Sequence, residues 1–280
     1  MSEELPQPAA GVPVIRLDSP SERIVAQKQG AIGRITFNNP DRRNAISIDM
    51  WEAIPVVLDR FEADPEVRVV VLTGAGDKAF VAGADISQFE GRRSNAQGVQ
   101  HYEEIAERAQ ERLQASDKPV IAAIRGYCLG AGINIALACD LRLASEDARF
   151  GVPAAKVGLG YRVSSTKNLV DAVGPAFARE MLLTARQFTA DEAKSIGLVH
   201  RVVAAEALEP VASDYCASIA ANAPLTLRTG KRIIRELLRA PAGFDAAGCA
   251  ALVRQCFESQ DYVEGRRAFM EKRKPVFRGR

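Results

Sequence analysis

The sequence predicts an α/β fold in which an alternating strand–helix core gives way to a helical C-terminal region. Three observations carry this. Val67 to Thr73 and Pro119 to Ile124 are nearly continuous apolar runs, as strands buried on both faces require. Helix-like segments separate and follow them, and such alternation is the pattern of an α/β core. After about Gly174 strand signal is limited to Val199, Val202 and Val203, and successive helices take over. The expected organisation is a flexible leader over 1–20, a core over 21–205 and a helical region over 206–280.

Each element has a local reason. Ile24-Val25-Ala26 and Ile32 to Phe37 read as two strands with Gly30 at the turn. Ser47 is placed to cap a helix running to about Ala63, with Asp49 favourable in its first turn. Gly74-Ala75-Gly76 ends the Val67 strand. A polar, mobile-looking segment around Arg92 to Gly98 precedes a helix through about Gln114. Gly130-Ala131-Gly132 opens a helix over Ile133 to Cys139, and Leu141 to Ala144 is a further strand. Thr189-Ala190-Asp191-Glu192 is a capping box, with Gly197 as the stop. Breaks are expected at Pro224 and near Pro241.

Composition narrows the function. At 280 residues, 47% hydrophobic and 26% charged, the chain reads as an ordinary globular protein. A net charge of +2 gives no bulk attraction for nucleic acid. No apolar run approaches the ~20 residues that span a bilayer, so no membrane partner is expected. The five cysteines lack metal or redox spacing and read as small buried hydrophobes. That, with no charged-then-apolar signal pattern at the N-terminus, predicts a cytoplasmic location. The basic stretch from Arg266 to Arg280 is either a solvated helix face or a phosphate-binding patch.

Two glycine-bearing segments hold the chemistry: Lys78 to Ile86 and Gly126 to Asn134. Their glycines serve either as turn residues or to let backbone approach a ligand. Both follow buried strands, where α/β sheets place ligands. The second also opens a helix, whose first amides favour an anion. Two N–H groups aimed at one carbonyl oxygen would form an oxyanion hole. His101 and His200 offer no Ser-His-Asp arrangement and no metal cluster, and Trp51 and Tyr127 read as packing residues.

These segments, with Asn39-Pro40-Asp41-Arg42-Arg43-Asn44-Ala45, Cys139-Asp140-Leu141-Arg142, Phe150-Gly151-Val152-Pro153 and the run Glu264 to Pro275, resemble the enoyl-CoA hydratase/isomerase (crotonase) family from about Ile24 to Phe277. The resemblance implies a crotonase-like spiral of ββα units with a helical C-terminal region, and homotrimers often paired into hexamers. It also implies a coenzyme A thioester as substrate, with no separate cofactor and no metal. Carried over by position, the oxyanion amides fall on Ala84 and Ala131. Arg43, Ala45, Ala82, Asp85 and Ile86 match the CoA path, and Phe269 and Lys272 match C-terminal positions that reach CoA. Asp85 reads as a loop-ordering residue rather than a base, because it follows the amide donor.

The sequence also departs from that pattern. The two glutamates of the family's hydratases are replaced by Asn134 and Ala154. Neither side chain is a carboxylate acid or base; Asn134 can orient a water, and Ala154 contributes space. The loop Gly158-Leu159-Gly160-Tyr161-Arg162 resembles that of methylmalonyl-CoA decarboxylase relatives, which makes Tyr161 a candidate for carboxylate binding or proton delivery. Otherwise Tyr161 is a lining residue with a locally paired hydroxyl. Arg162 is either a surface charge or the partner of a second carboxylate. Three readings stand: an atypical enoyl-CoA hydratase or isomerase, an acyl-CoA decarboxylase, and an acyl-CoA-binding homologue with little turnover.

Overall fold

The computed structural model describes residues 12–85, 96–238 and 245–280. Its first sheet has seven strands: β1 (Val14–Leu17), β2 (Ile24–Gln29), β3 (Ile32–Phe37), β4 (Val69–Gly74), β6 (Val120–Ile124), β8 (Leu141–Ser145) and β11 (Arg201–Val203). They lie in that spatial order. β1, β2 and β3 pair antiparallel, and every pairing from β3 to β11 is parallel. Val14–Leu17 lies within the stretch expected to be a leader, and is an edge strand instead. Its side chains are largely exposed, so no burial pattern marks it in sequence.

A second, four-stranded sheet holds β5 (Ala79–Val81), β7 (Tyr127–Leu129), β9 (Arg149–Gly151) and β10 (Phe188–Thr189). Three of the parallel strands, β4, β6 and β8, each hand the chain to a short one of this sheet and then to a helix. β4 and β5 lead to α2 (Ala96–Gln114), and β6 and β7 to α3 (Ala131–Ala138). β8 and β9 lead through a 3-10 turn (Pro153–Val157) to α4 (Val163–Thr184). With β2, β3 and α1 (Ile48–Ala63), this is a spiral of ββα units. Helices on the strands exclude water from side chains such as Phe37, Trp51, Phe61, Leu72 and Phe80, which form one continuous core. Parallel strands demand this cover on both faces.

Local signals are visible in the coordinates. Thr189 accepts from the Glu192 amide, and Glu192 accepts in return from the Thr189 amide at 2.8 Å, at the start of α5 (Ala190–Ser195). α4 breaks at Gly174, where φ is 72° and Pro175 follows. Ser47 stands at the N-cap of α1 but makes no side-chain cap bond; Asp49 in the first turn instead accepts from the Ser21 hydroxyl at 2.5 Å. The C-terminal region consists of α6 (Leu208–Ala220), α7 (Pro224–Leu237), α8 (Ala246–Glu258) and α9 (Gln260–Met270). Arg68 ties its end to the core through the Phe277 carbonyl, and Lys231 does so through Asp140 at 2.6 Å. All five cysteines are free. No helix among the described residues is long and apolar enough to cross a membrane.

Candidate active site

The site is assembled where β5 and β7 end side by side. Beyond β5, Ala84 forms an isolated parallel bridge with Ile46. The Ile46 amide donates to the Gly83 carbonyl at 2.9 Å, and the Asp85 amide donates to the Ile46 carbonyl at 2.9 Å. In this register the neighbours of Ala84 make the bonds, so its own N–H points to the opposite edge. There it meets no backbone acceptor among the described residues.

That opposite edge is the turn after β7. Gly130 adopts φ 51° and ψ −107°, a conformation that side chains oppose, and its amide is held by the Gly151 carbonyl at 2.9 Å. A Cβ at Gly130 would lie 4.0 Å from the Gly83 Cα, so the two backbones run in contact. Ala131 is the first residue of α3, and its amide has no intrahelical acceptor. The N-terminus of α3 is pressed onto β5: a Cβ at Gly132 would stand 2.2 Å from the Val81 carbonyl oxygen. Among the described residues neither the Ala84 nor the Ala131 amide has a partner, and the Gly83–Gly130 contact brings their two segments side by side. The helix adds its positive end there.

Asn134 lies one turn along α3 from Ala131 and is 7% exposed. Its Oδ1 accepts a hydrogen bond from the Tyr161 hydroxyl. Tyr161 follows the turn that carries Ala154, a turn closed by the Leu159 amide on the Ala154 carbonyl at 3.0 Å. The Tyr161 ring is partly exposed, but its hydroxyl end is enclosed. Burial there drives the phenol above its usual range, outweighing the opposing pull of Arg162 and the bond to Asn134. Asn134 and Tyr161 therefore meet as an uncharged pair, and Ala154 opens the turn that leads to Tyr161. Burial likewise pushes the Cys139 thiol up to about 12 and raises that of Cys128, which makes both poor nucleophiles at neutral pH.

The 39–45 loop forms the other wall. The Ala82 amide donates to the Arg43 carbonyl at 3.1 Å, and the Ala45 carbonyl accepts from Asn39 Nδ2 at 3.0 Å. Buried Asp85 accepts from Arg42 Nη1 at 3.1 Å, which ties the loop to the segment after β5. The Arg43 guanidinium lies 5.1 Å from the centre of the Tyr127 ring, so Tyr127 supports a cation as well as packing. Arg43, Ala45, Ala82 and Asp85 are brought together beside Ala84. Ile86 lies outside the described residues, as does the side chain of Phe269. Lys272 is exposed beyond α9, and none of its described contacts reaches these segments. A cavity of about 750 Å³ between Leu225 on α7 and Phe257, Tyr262 and Phe277 contains none of the site residues.

One residue of the loop was quoted in the sequence motif without a role. Asn44 is fully buried at φ 55°; its Nδ2 donates to the Ala75 and Ala79 carbonyls at 2.9 and 2.7 Å, and its Oδ1 accepts from the Asn39 amide. It fastens the loop across the end of β4. The signal available in sequence was an asparagine beside two arginines, a type that tolerates left-handed backbone.

Comparison with known proteins decides the family. Residues 27–280 match the family model described as enoyl-CoA hydratase/isomerase. The chain belongs to the enoyl-CoA hydratase/isomerase family. It is 36% identical over 251 residues to a short-chain-enoyl-CoA hydratase of Clostridium acetobutylicum, covering 90% of this chain and 95% of that protein. It is 40% identical to a putative enoyl-CoA hydratase of Thermus thermophilus, over 91% of this chain and all of that one. A crystal structure of a putative enoyl-CoA hydratase/isomerase family protein from Hyphomonas neptunium superposes with a TM-score of 0.88 at 38% identity, covering 94% of this chain and 100% of that one. The ββα spiral is the crotonase fold, and this member of the enoyl-CoA hydratase/isomerase family is an acyl-CoA enzyme.

Proposed function

We propose that the protein works through a thioester enolate whose oxygen is held by the Ala84 and Ala131 amides. The carrying observation is the pair of N–H groups across the Gly83–Gly130 contact that have no partner among the described residues. The reaction read first is an atypical enoyl-CoA hydration or isomerisation, which the names of the relatives support. The usual pair of carboxylates is replaced by Asn134 and Ala154, so the proton traffic falls to Tyr161. In hydration, the water oxygen bonds to the β-carbon while electrons move into the thioester. The phenol gives its proton to the α-carbon and takes one from the adding water, which regenerates Tyr161. Asn134 holds the phenol and orients the water. Arg43, Ala45, Ala82, Asp85 and Ile86 line the CoA path in this reading. Phe269 and Lys272 approach CoA from a neighbouring subunit of a homotrimer or hexamer.

The uncharged Tyr161–Asn134 pair favours a second reading, acyl-CoA decarboxylation. The bond to the departing carboxylate breaks, its electron pair passes into the thioester as the enolate, and CO₂ leaves. Tyr161 then protonates the α-carbon. No general base is required.

The test is turnover of crotonyl-CoA, a 3-enoyl-CoA and methylmalonyl-CoA by the wild type and by Ala131→Pro. Proline is tolerated at a first helical position, so this change removes the donor while sparing α3. Loss of one such donor costs ~10²–10³-fold in kcat. CoA binding without turnover across a broader panel would replace both readings by that of a binding homologue.

A further inference from the structure

α4 begins two residues after Tyr161, and its N-terminus is unfinished. Arg162 is the N-cap, no side chain caps this end, and the first closed turn runs from the Thr166 amide to the Arg162 carbonyl at 2.8 Å. The amides of Val163, Ser164 and Ser165 thus lack intrahelical acceptors, and this end carries the positive pole of the helix.

A second observation points to a ligand. Ser165 is 1% exposed, yet its Oγ has no hydrogen-bond partner among the described residues. A buried polar atom left in this state costs ~1–3 kcal/mol, so something is expected to satisfy it. Ser165 is the third residue of α4, and the Cα–Cβ bonds of a helix tilt toward its N-terminus, so its side chain belongs to the same unfinished turn.

Arg162 supplies the third. Its Nη1 donates to the Glu103 carbonyl on α2 at 2.9 Å, and its guanidinium forms no ion pair among the described residues. The residue is half-buried, and its charge acts on the Tyr161 phenol. A guanidinium carries five N–H donors in a fork that matches a carboxylate. Four of them have no partner among the described residues. Through Tyr161 and Asn134 this cluster adjoins the first turn of α3.

Resting on the acyl-CoA reading above, we propose that the acyl group of the substrate carries a second, anionic group, a carboxylate. It is received between the Arg162 guanidinium and the N-terminus of α4, with the Ser165 hydroxyl as a further donor. The substrate class is the CoA monothioester of a dicarboxylic acid. Its thioester end lies at Ala84 and Ala131, and its free carboxylate lies at Arg162.

Calorimetric binding to the full chain separates the possibilities. Two matched pairs serve as probes: succinyl-CoA against butyryl-CoA, and methylmalonyl-CoA against isobutyryl-CoA. A charge-assisted hydrogen bond is worth ~10–100-fold in affinity. The carboxylated member of at least one pair is expected to bind tighter by about that factor. Arg162→Gln should abolish the preference, and a thermal unfolding curve matching that of the wild type verifies that the variant is folded. Arg162→Lys should restore part of it, and Ser165→Ala should reduce it. Equal affinities within both pairs, or a preference that survives Arg162→Gln, would overturn the proposal while leaving the acyl-CoA reading intact. Failure of all four thioesters to bind would overturn both.

Discussion

The Tyr161 hydroxyl donates to the Asn134 Oδ1, so two uncharged groups face each other one helical turn from Ala131. Burial keeps the phenol protonated well above neutral pH. Tyr161→Phe removes the only proton that this pair can deliver. The expected result is a fall of ~10²–10⁴-fold in kcat for whichever thioester is turned over, with KM little changed. In the wild type the pH–rate profile should show no alkaline limb near the ordinary tyrosine pKa of about 10. An unchanged kcat in the variant would remove Tyr161 from proton transfer.

Asn134→Glu tests the same pair by addition. The carboxylate would stand beside the Tyr161 hydroxyl in a position 7% exposed, where desolvation raises its pKa. Crotonyl-CoA hydration should increase, and its rate should gain an acid limb as the new glutamate is protonated. With Ala154→Glu added, the increase should be larger than with either change alone. Hydration that stays at the wild-type level in the double variant would show that carboxylates at these two positions do not limit the reaction.

Gly132 sets how closely α3 packs on β5. A Cβ there would stand 2.2 Å from the Val81 carbonyl oxygen, a backbone atom that cannot swing aside. Gly132→Ala must therefore push α3 away from β5. Overpacking of this kind costs ~1–3 kcal/mol. Because it displaces Ala131 from Ala84, kcat/KM should fall by about 10²-fold even where the variant is folded. A denaturation curve beside the kinetics checks both. A variant as active as the wild type would mean that the spacing of the amides is not critical.

How far the sequence foretold this depends on the length scale of each cause. The hairpin of β2 and β3 was legible because a turn glycine and two runs of strand formers lie together. The Thr189–Glu192 box was legible because it closes within three residues. The second sheet was not, since β5, β7 and β9 have three residues each and show no period. Their existence follows from pairing between distant chain segments. The family resemblance marks Ala84, Ala131, Tyr161 and Asn134 as candidates one position at a time. The bond joining the last two spans 27 residues and needs the fold to bring them together. The pairing of Arg42 with Asp85 across 43 residues is of the same kind. Nor does any local pattern announce that Ser165 is buried with an unpaired hydroxyl.

Asn44 shows what such a hidden cause is worth. Its amide satisfies two carbonyls, at Ala75 and Ala79, from a left-handed backbone position. Asn44→Ala leaves both acceptors without a donor and places alanine where φ is 55°. The expected loss is roughly 2–4 kcal/mol in a denaturant titration. The loop holding Arg43 and Ala45 would loosen against Ala82, so KM for a CoA thioester should rise more than kcat falls. Equal stability of the variant would show that the loop is held by other contacts.

The far end of α3 is held by a buried cation. Arg142 donates from Nη1 to the Cys139 carbonyl at 2.9 Å and from Nε to the Leu198 carbonyl at 2.6 Å. Its backbone amide donates to His200 Nδ1 at 3.0 Å, so that nitrogen must be unprotonated in the folded chain. Burial first, and the Arg142 charge second, hold the His200 pKa below its ordinary 6.5. The sign follows. Below about pH 6.5 the unfolded chain binds a proton that the folded chain resists, so stability falls as pH drops through the folded pKa. His200 is an exposed residue, and solvent screening keeps the effect below ~1 kcal/mol. His200→Gln retains a hydrogen-bond acceptor without a titrating proton. Its unfolding midpoint should change less than that of the wild type between about pH 7 and pH 5. Identical slopes for the two proteins would place the acid sensitivity elsewhere in the fold.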